Sequence, residues 1–407
     1  IQKYSPRVVM VTGSVGKTST KDATAAVLAN RYNLRASEKS YNSEFGVPLT
    51  ILGSKNPWEN PVAWLRVFKE AFALLIFRNH YPKLLVLEVG ADRPGDLARI
   101  LRIALPDAVI VTRLPDVPVH VEAYASPQAV RDEEFTPAYA LSLGAPLIIS
   151  SDDPNAVTMA GLLPARITTF GFADGSDVRL EGYSFFEEGE VCGMEATINV
   201  QGESHQLRVN GALGRSQLYA PAAAICAALS LDMTIREALE GARDYVPPAG
   251  RGRILRGKND SLLIDDSYNA SPAAVEEALA ALALLTTHTR RIAVLGDMLE
   301  LGRYSAEEHE RIGTLAAARA DIVVAVGTRS RSIAVAAKSA GMKDEAVFSF
   351  DTAIEAADML EALVEPRDAI LIKGSQGIRT ERIAERLLAD PADAEKLVRQ
   401  GREWKAR

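Results

Sequence analysis

The chain has 407 residues, enough for two or three domains that each bury a core of their own. With 47% hydrophobic and 24% charged residues, its composition is that of a folded globular protein and excludes a disordered chain. The net charge of −7 gives no general attraction for nucleic acid, so any phosphate it binds must be held by a local site.

Short apolar runs alternate with helical patterns, which predicts an α/β fold built from parallel sheets with crossover helices. The first strand, Val8–Thr12, runs into Gly13-Ser14-Val15-Gly16-Lys17-Thr18 and then into a helix from about Thr18 to Asn30. Strand, glycine loop and helix in that order form the setting of a phosphate-binding loop. The glycines let backbone N–H groups turn toward phosphate oxygens, and the helix N-terminus adds its positive end. Gly13, Ser14, Gly16, Lys17, Thr18 and Ser19 are therefore candidate nucleotide contacts. Lys17 reaches for the β- and γ-phosphates and the Thr18 hydroxyl for Mg²⁺. Val11 stands where the usual motif has its first glycine, so the loop is not of the standard Walker form.

The most apolar window, Ala71–Phe77, is flanked by Lys69, Glu70 and Arg78. It falls far short of the roughly 20 residues that cross a bilayer, so no membrane span is expected and it reads as a buried helix. No signal peptide precedes the first strand, and the chain opens on Ile1 rather than Met, as if something upstream had been removed. Two distant cysteines, Cys192 and Cys226, lack metal-ligand spacing and fit a reducing cytoplasm.

The next strand, Leu84–Val89, carries Glu88 at its C-terminal end, where an open α/β sheet places a metal ligand. Strands follow at Ala108–Thr112 and Leu147–Ser150, with His120 in the Asp- and Pro-rich loop between them. Between about 166 and 213 the pattern changes. Val178–Phe186, Val191–Val200 and His205–Val209 read as a small antiparallel β insertion, and a helix returns at Leu218–Leu229. Tyr245–Arg253, with paired prolines and glycines, breaks any helix and reads as a linker. Strands at Leu262–Asp265, Ile292–Leu295, Ile322–Val326, Val347–Phe350 and Ala369–Ile372 then predict a second, Rossmann-like doubly wound domain. The expected division is a central ATP-binding domain at 1–246 and a C-terminal domain at 247–407.

Thr12–Thr18 (TGSVGKT) resembles the ATP loop of the Mur ligases and folylpolyglutamate synthases. Asn42–Leu49 (NSEFGVPL), Asp265–Pro272 (DDSYNASP), Val294–Gly302 (VLGDMLELG) with His309, and Lys373–Ser375 (KGS) resemble the Mur branch that adds D-alanyl-D-alanine to a muramoyl tripeptide. The resemblance runs from residue 8 to about 385 and implies an ATP-dependent amide ligase. Such an enzyme phosphorylates a carboxylate and lets an amine displace the phosphate. It implies ATP and Mg²⁺ as cofactors, and UDP-MurNAc-peptide and D-Ala-D-Ala as substrates in peptidoglycan precursor synthesis. Glu88 and His120 take the roles of metal ligands, and Asn42, Lys373 and Ser375 become candidate substrate contacts. Gln217, Arg251, Asp266, Tyr268 and Asn269 become candidate nucleotide contacts, with Asp266 toward the ribose and the Arg251 fork toward phosphate.

Four positions depart from the family pattern. Glu134 stands where the family has a carbamylated Lys, so Glu134 is expected to offer its carboxylate to the metal directly. Ser216 and Gln217 replace a His-Asn pair, and Gln376 replaces an Arg. Relatives carry an N-terminal domain for the uridine diphosphate end of the substrate, so a separate UDP-binding domain or subunit is expected to complete the site. Two other readings stay open: a related ligase with another acid or amine, and a nucleotide-binding regulator that has lost catalysis.

Overall fold

The computed structural model describes residues 1–38, 41–58, 60–401 and 404. Among these residues, fifteen strands form two sheets. The first contains β1 (Arg7–Thr12), β2 (Leu34–Ala36), β3 (Leu84–Glu88), β4 (Ala108–Val111), β5 (Pro146–Ser150), β6 (Arg166–Gly171), β7 (Val178–Glu188), β8 (Val191–Val200) and β9 (Glu203–Asn210). The second contains β10 (Arg253–Gly257), β11 (Ser261–Asp266), β12 (Arg291–Gly296), β13 (Ile322–Val326), β14 (Val347–Phe350) and β15 (Ala369–Lys373). Their orders are β2-β3-β1-β4-β5-β6-β7-β8-β9 and β10-β11-β15-β12-β13-β14. The α/β class expected from the alternating pattern is the one observed.

β1, β3 and β4 are near-continuous runs of Val, Leu, Ile and Met because helices cover both faces of the sheet. One cover is the alanine-rich helix Ser216–Ser230, most of which is buried against the helix Lys17–Ala29 and the sheet. Its small side chains let the backbones approach closely, so little room is left for larger ones. Strand pairing is parallel from β2 to β7 and antiparallel from β7 to β9. The antiparallel ribbon therefore extends the first sheet itself, and its parallel neighbour β6 belongs with the α/β part. We propose the division of the chain near residue 247, because β10 already opens the second sheet at Arg253.

The linker is less free than its composition suggests. Leu213 N–H donates to Gly252 O at 2.9 Å and Ile254 N–H to Gly211 O at 2.9 Å, pinning the hinge to the chain that leaves β9. One expectation fails. The window Ala71–Phe77 lies in and just after the helix Pro61–Ile76, but that helix buries only Val67. Leu65, Phe68, Phe72, Leu75, Ile76 and Phe77 are all more than half exposed. An apolar run reports that a surface must avoid water but not what covers it, and nothing among the described residues covers this one. No helix among the described residues is long and apolar enough to cross a membrane.

Candidate functional site

The C-terminal ends of β1, β3 and β4 converge on one cleft of about 960 Å³ that runs between the two sheets. This is where an open α/β sheet binds its ligand. β1 delivers the phosphate loop. Gly13 and Gly16 have φ of 116° and 92°, left-handed values that a side chain tolerates poorly. A Cβ on Gly13 would also collide with the Thr112 hydroxyl at the end of β4. Ser14 and Val15 N–H groups turn back to Arg113 O, so they brace the loop and do not face the cleft. The anion-seeking end is instead the helix Lys17–Ala29, which has no side-chain cap and opens at Gly16, Lys17 and Thr18 onto the cleft. Lys17 Nζ folds onto Gly13 O at 2.5 Å, and Ser19 also lines the cavity.

Facing the loop, Glu88 ends β3 and is buried. Its Oε1 accepts from Asn42 Nδ2 at 3.3 Å, which gives the candidate substrate residue Asn42 a second task. Its Oε2 is buried with no hydrogen-bond partner. Burial raises the Glu88 pKa, while Arg251, Lys17 and Lys21 and a hydrogen bond from Thr18 oppose the rise. A buried carboxylate oxygen left unmatched beside a phosphate loop fits a hard cation.

His120 lies across the cleft in a left-handed conformation with φ 63°. Its Nδ1 meets Glu300 at 2.9 Å, and Asp92 lies 3.6 Å from Nε2. Burial opposes the imidazolium, but the hydrogen bond and charge of Glu300, with Asp92, win and raise the His120 pKa. Glu134 is 2% exposed and lies behind the loop rather than on the cleft wall. Its Oε2 accepts from the Ser14 hydroxyl at 2.5 Å, and burial raises its pKa against the attraction of Lys17. Among the described residues no three His, Cys, Asp or Glu side chains converge as a ready-made metal cluster. The expected set Thr18, Glu88, His120 and Glu134 is thus gathered around one loop but not assembled, since Glu300 and Ser14 occupy two of its members.

The second domain supplies the opposite wall. Arg251, in the hinge, donates through Nη2 to Thr18 Oγ1 at 2.9 Å and lies over the Tyr268 ring at 4.3 Å. Lys373, at the end of β15, reaches Asp266 Oδ2 at 2.7 Å and Asn269 O at 3.0 Å. Ser375 accepts from Leu299 N–H at 2.9 Å, so its hydroxyl orders the wall. Gln217 Nε2 donates to Arg251 O at 3.1 Å, while its Oε1 is buried without a partner. All these residues line the same cleft.

Sequence reasoning did not find the groups that tie the domains together. Besides Glu300, Glu277 of the second domain reaches Arg113 at 3.1 Å and Arg215 at 3.8 Å. Glu300 lies inside the quoted VLGDMLELG segment, and Arg215 adjoins the departing pair Ser216 and Gln217, which was the available signal. Buried Lys21, one turn along the helix from Lys17, adds a further positive charge near Glu88.

A family model described as the Mur ligase middle domain matches residues 11–228, and one described as the Mur ligase glutamate ligase domain matches residues 250–376. The UDP-N-acetylmuramoyl-tripeptide–D-alanyl-D-alanine ligase of Mycobacterium tuberculosis (strain CDC 1551 / Oshkosh) is 30% identical over 405 residues, covering 94% of this chain and 73% of that protein. The ligase of the same name from Bacillus subtilis is 27% identical over 398 residues, covering 96% and 78%. Among solved structures, the MurF ligase of Thermotoga maritima in complex with ADP superposes with a TM-score of 0.77 at 25% identity, covering 97% of this chain and 82% of that one. A folylpolyglutamate synthase from M. tuberculosis shares the fold with a TM-score of 0.65 at 15% identity. The chain belongs to the Mur ligase family of ATP-dependent ligases.

Proposed function

We propose that this chain joins D-Ala-D-Ala to UDP-MurNAc-tripeptide at the expense of ATP, through an acyl phosphate. The observation that carries the reading is the apposition of two half-sites. Lys17, Thr18 and the unmatched oxygen of Glu88 face Arg251, Asp266 and Lys373 across one cleft.

The chemistry follows from charge. A carboxylate is a poor electrophile, so it must first be phosphorylated, and that step brings two anions together. Lys17 leaves Gly13 O and neutralises the transferring phosphoryl group, while the helix end at Gly16 holds phosphate oxygens. Arg251 bridges the hinge and the phosphate loop, so closure of the cleft and grip on the nucleotide are one event. Gln217 offers its unpartnered Oε1 as an acceptor to the nucleotide, Asp266 takes a ribose hydroxyl, and Tyr268 and Asn269 shape the pocket around it. Lys373 and Ser375, with Asn42 on the other wall, position the acid and the incoming amine. Mg²⁺, when bound, would neutralise the phosphate charge that accumulates in the transfer; Thr18 and Glu88 would hold it from the cleft wall, and His120 and Glu134 would join them on release from Glu300 and Ser14. The closed cleft keeps water from the acyl phosphate until the amine attacks.

The dependence on ATP and the free thiols Cys192 and Cys226 fit a reducing cytoplasm. Phosphate release from ATP tests the reading. It should require the muramoyl tripeptide and D-Ala-D-Ala together. Release with a different acid or amine and none with this pair would reassign the substrate, and failure to bind or hydrolyse ATP at all would remove the ligase reading.

A further inference from the structure

The helix Pro61–Ile76 carries a run of exposed large apolar side chains that the cleft does not use: no described residue from 54 to 83 lines that cavity. Leu65, Phe68, Phe72, Leu75 and Ile76 recur at spacings of three and four and share one helix face, with Phe77 just beyond. Each is at least 55% exposed. A patch of this kind on a water-soluble surface marks a contact with something apolar.

Three observations say what that is. First, the sequence around the helix is cationic in a chain whose net charge is −7. Residues 55–83 carry Lys55, Arg66, Lys69, Arg78 and Lys83 against only Glu59 and Glu70. Arg66 and Lys69 are exposed on the helix beside the apolar face, and Glu70 is engaged by the Ser54 hydroxyl at 2.9 Å. Second, the aromatic content suits a boundary between apolar and wet phases. Trp58 is 63% exposed, and Trp64 Nε1 donates to Trp58 O at 3.0 Å. Third, the helix is held firmly as a ridge. Asn60 caps its start and Pro61 opens it, while Lys3 Nζ clamps Leu74 O, Leu75 O and Phe77 O at 2.6 to 2.8 Å. Val67 packs inward and Lys3 ties the C-terminal end, so the outward face is held in place without an apolar partner of its own among the described residues.

We infer that this ridge lies in the interface of an anionic lipid bilayer, with the apolar face among the acyl chains and Arg66 and Lys69 extended to the headgroups. The helix does not span the bilayer; it seats the protein on the surface. A protein partner would not need cations arranged beside a continuous apolar stripe, whereas an anionic membrane attracts both parts at once.

Flotation of the full chain with vesicles tests this. Phosphatidylglycerol–phosphatidylcholine vesicles should carry the chain, and pure phosphatidylcholine should carry much less. The exposed variant Phe68→Ser/Phe72→Ser should lose flotation while keeping ATP-dependent phosphate release. Arg66→Gln/Lys69→Gln leaves the apolar face intact and should reduce partitioning roughly twenty- to thirtyfold, at about 1 kcal/mol per cation. Three outcomes overturn the proposal. Equal flotation on neutral vesicles removes the role of charge. No flotation at low salt, with a dimer that the Phe68→Ser/Phe72→Ser variant dissociates, makes the ridge a contact between copies. Shielding of Trp58 and Trp64 from an aqueous quencher before vesicles are added means that protein covers the face.

Discussion

Arg251 Nη2 and Thr18 Oγ1 lie 2.9 Å apart, although 233 residues separate them in the chain. The hinge guanidinium thus holds the hydroxyl that the phosphate loop presents to the nucleotide. Its ring contact with Tyr268 at 4.3 Å fixes the plane of the fork. Lysine keeps the charge but has neither the planar fork nor the stacking face. Arg251→Lys should therefore fold normally and lose about tenfold or more in kcat/KM for ATP, a cost of roughly 1.4 kcal/mol. Steady-state kinetics with ATP varied would check this, and a variant indistinguishable from the parent would show that Arg251 does not touch the nucleotide.

Lys373 and Asp266 form a pair at 2.7 Å, with Lys373 3% exposed and Asp266 18% exposed. Burial raises the Asp266 pKa, and the Lys373 charge and hydrogen bond, with Arg251, hold it down. Lys373→Met leaves the carboxylate without its main counter-charge and should destabilise the second domain by roughly 3 kcal/mol at neutral pH. The deficit should shrink in acid, because Asp266, its pKa raised further, then takes up a proton in the folded state. Lys373→Met/Asp266→Asn should regain more than half of the lost stability without regaining activity. Urea unfolding of the two singles and the double decides it: additive losses would mean that the pair is not coupled.

The first half-site was legible because its parts are local. Strand, glycines, Lys17 and Thr18 follow one another within a dozen residues, and β3 ends on Glu88, so pattern and spacing reach them. The bridges were not legible. His120–Glu300, Arg113–Glu277 and Arg251–Thr18 depend on how two sheets face each other across more than a hundred residues of chain. Three strands escaped notice for separate reasons. β2 has only three residues, β6 carries Arg166 and two threonines on a half-exposed edge of the pattern, and β10 begins where the glycine-rich linker ends. For the helix Pro61–Ile76 the element was evident but its exposure was not, since burial is a property of the neighbours.

Glu134 accepts from Ser14 Oγ at 2.5 Å, at the position where the family pattern implies a carbamylated lysine. A carboxylate built into the side chain needs no CO₂. The parent chain should keep its full rate in bicarbonate-free buffer, whereas Glu134→Lys should be slow there and recover on addition of bicarbonate. Glu134→Gln removes the charge and the strong acceptor for Ser14, and should lower kcat by about a hundredfold or more. Bicarbonate dependence in the parent chain would show that Glu134 does not do the work of the carbamate.

Asp265 offers a test that stands apart from catalysis. It ends the buried run of β11, is fully buried, and accepts from Ser267 Oγ at 2.5 Å and Ser267 N–H at 3.2 Å through Oδ1 alone. Oδ2 is buried without a partner. Burial raises the pKa from 3.8 to about 6; the Ser267 hydrogen bonds pull it down, and the charges of Asp266 and Glu381 add to the rise. In the unfolded chain the group titrates near 3.8, so between that value and about 6 the folded state binds more protons. The contribution of Asp265 to stability is therefore full below pH 3.8 and declines as pH rises to about 6. Near pH 7 the charged group costs roughly 3 kcal/mol relative to acid. Asp265→Asn, which cannot ionise, should gain stability over the parent as pH rises from 4.5 to 7, and the gain should level off above that. Urea midpoints for both proteins across this range measure the difference directly. Two parallel curves would mean that Asp265 is solvated or paired in a way its buried Oδ2 does not suggest.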